Sequence, residues 1–179
     1  MAKALSSASL PISATIITEE IYQAFVRQSE KIGVFAHGYT YSGHPVASAV
    51  ANETLKIYEE RNILAHVRKV SKGFIEGVKK YAENPLVGEV RAVGLVTGVE
   101  LVKDKATKES FAPAQGIGAM VANRAQELGL IVRAMGDTIA LCPPLIITEG
   151  EIDEMVKRLG RALDDTAVAV RRQGLASVA

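Results

Sequence analysis

Apolar positions recur at spacings of three and four in five stretches of this chain, and shorter β-branched runs lie between them. Thr18 ahead of Glu19-Glu20-Ile21 reads as a helix cap followed by first-turn carboxylates, which predicts a short helix over 19–28. Pro45 suits a first helical turn, where its missing N–H is no loss. Ala47, Val50, Ala51, Thr54 and Tyr58 then form one stripe that ends near 62. Ile63, Val67, Val70, Phe74, Val78 and Tyr81 predict the next helix, stopped by Asn84-Pro85. Ile117, Val121, Ala125 and Leu128 predict a fourth over 115–128, ended by Gly129. In the fifth, Thr148 and Glu151 form a capping box, Ile152, Val156, Leu159, Leu163, Ala167 and Val170 share a face, and Gly174 stops the run.

Strands are predicted where β-branched residues cluster or alternate, over 10–17, 90–96, 99–102, 130–133 and 138–141. Gly94 and Gly98 mark a bend or a close backbone approach, 103–109 is a charged loop, and Ala134-Met135-Gly136-Asp137 carries turn residues. The expected class is α/β in the broad sense. A strand and two helices come first, and a compact α+β unit follows from about residue 61. The first part is too short to close a core alone, so exposed apolar surface and self-association are expected of it.

Composition narrows the function classes. The 179 residues include 21 basic and 20 acidic side chains, interspersed, for a net charge of +1, so nothing resembles a basic nucleic-acid groove. Trp is absent and aromatics are 5%, which argues against a base-stacking surface. The lone Cys142 excludes an internal disulfide framework, and is expected to be a buried, inert packing residue. His37, His44 and His66 are too scattered for a zinc pattern, and no apolar run has the length of a membrane span or the flanks of a signal peptide. A reducing cytoplasm is the expected compartment.

Three segments stand out for chemistry. Lys3 lies among Ala2, Ala4 and Leu5 and is followed by Ser6-Ser7. A lysine desolvated by such neighbours deprotonates more easily and attacks carbonyls to form a Schiff base. The loop His37-Gly38-Tyr39-Thr40-Tyr41-Ser42-Gly43-His44-Pro45 packs hydroxyls and glycines in front of a helix, a setting that suits a phosphate. His44 there reads as a structural hydrogen-bond donor. Arg133, expected at the end of a strand, can aim its guanidinium fork at a carboxylate.

Together these segments resemble the class III aminotransferases, fold-type I enzymes that depend on pyridoxal phosphate. The stretch 1–14, around Ala2-Lys3-Ala4-Leu5-Ser6-Ser7, is similar to the family's active-site lysine motif, and 37–45 to its HGxTYSGHP loop. Gly136-Asp137-Thr138-Ile139-Ala140-Leu141-Cys142-Pro143-Pro144 is similar to the strand and turn after its substrate arginine. Ser9 departs from the tyrosine often found there in relatives, which bears on the pocket lining.

The resemblance implies a tail of the large cofactor-binding domain with its connecting helix over 1–60, and the small C-terminal α+β domain over 61–179. By the same resemblance Lys3 would bind pyridoxal 5'-phosphate covalently and move the substrate proton. Thr40 would bond the phosphate of the cofactor held by the neighbouring subunit of a homodimer, Tyr39 would line the substrate pocket, and Arg133 would take the keto-acid carboxylate. The Ser42-Gly43-His44-Pro45 form points to the pyruvate-using branch, with an ω-amino acid or amine as donor and no nucleic acid or membrane partner. In relatives the phosphate-cradling turn, the ring-stacking aromatic and the aspartate for the pyridine nitrogen precede the lysine, so the chain is expected to be the C-terminal part of such an enzyme and idle alone. A non-catalytic remnant or association domain, an aminomutase and an ornithine-type transaminase are the other readings.

Overall fold

The computed structural model describes residues 1–175 and divides into two units, Met1–Asn62 and Ile63–Ala179. In the first, a 3-10 turn (Lys3–Ser6) precedes two helices, α1 (Glu19–Ile32) and α2 (Pro45–Glu60). Thr18 Oγ1 accepts the Ile21 N–H at 3.4 Å as expected of a cap, but α1 continues past 28 to Gly33, whose left-handed backbone (φ +78°) ends it. His44 caps α2 through Nδ1, which accepts the Ala47 N–H at 3.4 Å, so its structural role is that of an acceptor and not the expected donor.

The predicted strand over 10–17 does not form. A strand needs a neighbour to take its N–H and C=O groups, and the described residues give this segment one isolated bridge, Ala2 to Ser13. Its alternation survives as half-buried Leu10, Ile12 and Ala14 between exposed residues. α1 is amphipathic yet buries none of its residues, leaving Ile21, Tyr22, Phe25 and Ile32 exposed, in line with the apolar surface expected of this part.

The second unit closes a core of its own. Helix α3 (Ile63–Lys79) runs through a 3-10 turn (Lys80–Glu83) to Asn84, whose side chain accepts the Leu86 N–H at 3.0 Å and donates to Asp164 at 2.8 Å. Strands β1 (Val87–Val93) and β2 (Val96–Leu101) form a hairpin about Gly94-Leu95. After α4 (Ile117–Glu127) come β3 (Arg133–Met135), β4 (Thr138–Leu141) and α5 (Glu149–Arg172). The sheet is antiparallel in the order β1-β2-β4-β3.

One sheet face carries Thr97, Val99, Leu101, Ile139 and Leu141, all buried. They share a core with Phe74 and Val78 of α3, Ile117 and Val121 of α4, and Leu159 and Leu163 of α5. The other face is open, so the unit is a two-layer α+β sandwich.

Three expectations change here. Gly98 is no bend: it pairs with Arg91 on one side and Ala140 on the other, inside a regular strand. Arg133 begins its strand instead of ending it, because the turn is only Gly136-Asp137 and pairing runs up to Met135 opposite Thr138. Cys142 is exposed, since it follows inward-facing Leu141 and the alternation turns it outward.

The predicted capping box is present: the Glu151 carboxylate accepts the Thr148 N–H at 2.8 Å, and Thr148 Oγ1 accepts the Glu151 N–H at 3.3 Å. Since α5 supplies much of the core, Thr148→Ala should lower the unfolding free energy by about 1 kcal/mol, checked by urea melts of both chains.

Candidate active site

Lys3 lies in a backbone held against its own preference. Its φ is +52°, and Ser7 and Ala8 follow at +50° and +59°. Each non-glycine residue in that region costs roughly 1–2 kcal/mol, so neighbouring bonds must hold it. They are present. The Ala8 N–H donates to the Lys3 carbonyl at 3.0 Å and the Ala14 N–H to Met1 O at 2.9 Å. The buried Ser6 hydroxyl donates to Leu10 O at 2.6 Å, and the Tyr58 hydroxyl from α2 to Ala4 O at 3.1 Å.

The backbone of Lys3 is thereby fixed while its side chain is exposed and has no ion-pair or hydrogen-bond partner among the described residues. The desolvation expected of it is not supplied by Ala2, Ala4 and Leu5, which are too small or too exposed to cover an amine.

The loop before α2 is a closed turn. The Ser42 N–H donates to Tyr39 O at 2.9 Å, and the Tyr39 N–H to Ser42 Oγ at 3.0 Å. Tyr39 is 77% exposed and stands edge-on to His37, with ring centroids 5.5 Å apart. Thr40, at the tip, is exposed, and its hydroxyl has no partner among the described residues. No hydrogen bond among the described residues joins Lys3 to Tyr39 or Thr40, although both lie in the same unit.

Arg133 belongs to the second unit and projects from the open sheet face. Register places it in one cross-strand row: Arg91 faces Gly98, Gly98 faces Ala140, and Ala140 faces Arg133. Three strand spacings separate the two arginines, roughly 14 Å at the backbone. An open groove of about 910 Å³ over this face is lined by Arg91, Val96, Gly98, Arg133, Met135 and Ala140, among others.

The two arginines differ in how far other groups already pair them. Arg91 bonds Glu100 at 2.5 Å and Glu89 at 2.7 Å, and the hydrogen bonds to Glu100 and then Glu89 raise its pKa further. Two carboxylates thus neutralise it. Arg133 has no acidic partner among the described residues, so it is the cation on this face with its fork free. Sequence reasoning missed the Arg91 cluster. Alternation along β1 puts Glu89, Arg91 and Val93 on one side, but only the strand order brings that side into Arg133's row.

The sequence profile described as aminotransferase class-III matches residues 1–163, which include Lys3, the 37–45 loop and Arg133. The chain belongs to the class III aminotransferases. Among curated relatives, gamma-aminobutyrate transaminase 1, mitochondrial, of Oryza sativa subsp. indica is 51% identical over 93% of this chain and 32% of its own length. Gamma aminobutyrate transaminase 3, chloroplastic, of Solanum lycopersicum is 46% identical over the same shares.

Among solved structures, a transaminase with L-ala superposes with a TM-score of 0.91 at 47% identity, over 95% of this chain and 40% of that one. The omega transaminase from Pseudomonas jessenii in complex with PMP gives 0.88 at 44% identity, over 93% and 37%. This class III chain therefore spans about a third of the curated relatives it matches. Enzymes of the class depend on pyridoxal phosphate. The free amine of Lys3 on a fixed turn and the partnerless hydroxyl of Thr40 ahead of α2 are the donor types that an aldehyde and a phosphate require.

Proposed function

We propose that these residues are the C-terminal part of a homodimeric transaminase. It moves an amino group from an ω-amino acid or amine to a keto acid such as pyruvate. In this reading 1–60 is the tail of the cofactor-binding domain and 61–179 the small domain. The observation that carries it is that one family match spans Lys3, Thr40 and Arg133, and all three present free polar groups. The gamma-aminobutyrate transaminases among the relatives favour an ω-amino acid as donor.

Pyridoxal phosphate, when bound, supplies the electron sink that stabilises charge on the substrate carbon. Lys3 would hold it through Nζ. Displaced by the incoming amine, the same Nζ would take and return the proton of the carbon that bears the amine. The strained, bonded backbone under Lys3 would hold the root of that side chain in place through both tasks. The Thr40 hydroxyl would donate to the phosphate held by the partner subunit, and Tyr39 would line the pocket beside it. Arg133 would grip the keto-acid carboxylate with its fork and leave when a carboxylate-free amine enters. It has no ion pair to break among the described residues, which makes the movement inexpensive.

Acceptor kinetics test this reading. In the enzyme that carries these residues, Arg133→Gln removes a charged bond to the acceptor and should raise KM for pyruvate about 10- to 150-fold, the equivalent of about 1.5–3 kcal/mol. KM for a carboxylate-free amine donor should stay nearly unchanged. Equal losses with both substrates, or no transfer from any ω-amino acid or amine to pyruvate in the unaltered enzyme, would overturn it.

A further inference from the structure

We propose that Asp137 is a positioning residue for Arg133, holding the β3–β4 hairpin on the N-terminus of α4 so that the guanidinium faces outward; this rests on reading Arg133 as the carboxylate anchor. Arg133 opens a strand of three residues at the sheet edge, and its side chain has no bond among the described residues to fix it. Its aim therefore depends on the hairpin. Pairing consists of Arg133 with Ala140, Ala134 with Ile139 and Met135 with Thr138, closed by Gly136-Asp137. A slip of one residue would turn Arg133 to the helix-covered face and Ala134 outward. Three pairs resist such a slip weakly, so something outside the hairpin must hold its register.

The structure provides that hold at Asp137. Helix α4 starts after Gly116, which has no side chain to cap it. The missing cap comes from the hairpin instead: the Asp137 carboxylate accepts the Gly118 N–H at 2.9 Å, across 19 residues of chain. An anion there also complements the positive end of the helix. The Asp137 carbonyl accepts the Leu101 N–H at 2.8 Å, so one residue is tied to both α4 and β2.

The approach is backbone on backbone. A Cβ on Gly118 would lie 2.0 Å from Gly136 O, so only glycine lets the turn and the helix meet this closely. Gly136 has φ +58°, which fits the first central position of a two-residue hairpin turn. These contacts fix where the turn sits, and the turn fixes which side of β3 carries Arg133.

The test uses the 179-residue chain with labelled arginine, titrated with propionate as an unreactive carboxylate and read at the Arg133 side-chain NMR signal. That signal is assigned by its loss in Arg133→Lys. Asp137→Ala should weaken propionate binding at Arg133 about tenfold, the loss expected for a bond to a charged group. It should also speed amide exchange in β3 and β4, while the Arg91 signal stays in place. Asp137→Asn keeps an acceptor oxygen and should fall between the two, and it decides the matter if the alanine variant does not fold. Unchanged propionate affinity in a folded Asp137 variant overturns the positioning role alone. An unaltered chain whose Arg133 signal ignores propionate overturns the carboxylate reading and this inference together.

Discussion

Replacing Lys3 with alanine in the enzyme that carries these residues should lower transamination about 10²–10⁴-fold, the range that a positioned proton-transfer group supplies. The residue is asked to do two things. In the proposed reading its amine would hold the cofactor and then carry the substrate proton. The surroundings of Lys3 hold its backbone at +52° through Ser6, Tyr58 and the Ala2–Ser13 bridge, while its side chain is exposed and has no partner among the described residues. Arginine at the same position keeps the charge and length but cannot give up its proton, so Lys3→Arg should be as inactive as Lys3→Ala. A steady-state assay of both variants checks this. Activity in Lys3→Arg within tenfold of the unaltered enzyme would remove Lys3 from the chemistry.

Phe74→Ala should destabilise the second unit by about 3–5 kcal/mol, the cost of deleting a fully buried aromatic ring together with the cavity it leaves. Phe74 is 0% exposed and sits in the core with Val70 and Val78 of its own helix, the inward side of the sheet, and α5. It cannot be refilled cheaply, because core residues on β2 are held in place, Val99 by pairing on both sides and Leu101 by pairing with Val87 and by its N–H bond to Asp137 O. A domain's whole stability is about 5–15 kcal/mol, so the variant stands near the edge of folding. Urea melts followed by circular dichroism measure the change. A loss under about 1 kcal/mol would mean that the core collapses around the gap, against the close packing described.

Helices were legible in the sequence because their signals are local. Thr18, Pro45, the Thr148–Glu151 box and Gly174 each act within a turn of the residues they terminate, and each stands where expected. Strands depend on partners that sequence proximity does not reveal. The 10–17 segment has the composition of a strand, but among the described residues it finds only the isolated Ala2–Ser13 bridge. Gly94 and Gly98 are the same residue four positions apart, yet one turns the chain and the other lies flat between Arg91 and Ala140. Only register separates them.

The site shows the same division. The resemblance to the class III motifs marked Lys3 and the 37–45 loop, although composition alone would have left the lysine as a surface charge. Arg91 and Asp137 stayed hidden, because each acts on residues of a different strand or helix, through an order of strands that alternation within one strand cannot give.

Borohydride reduction of the pyridoxal-phosphate-loaded enzyme that carries these residues, followed by peptide mass mapping, tests the central claim most directly. The pyridoxyl group is expected on Lys3 alone, and pre-incubation with an amino donor should abolish the labelling by releasing the lysine. Label on another lysine, or a loaded enzyme in which Lys3 stays unmodified, would contradict the claim.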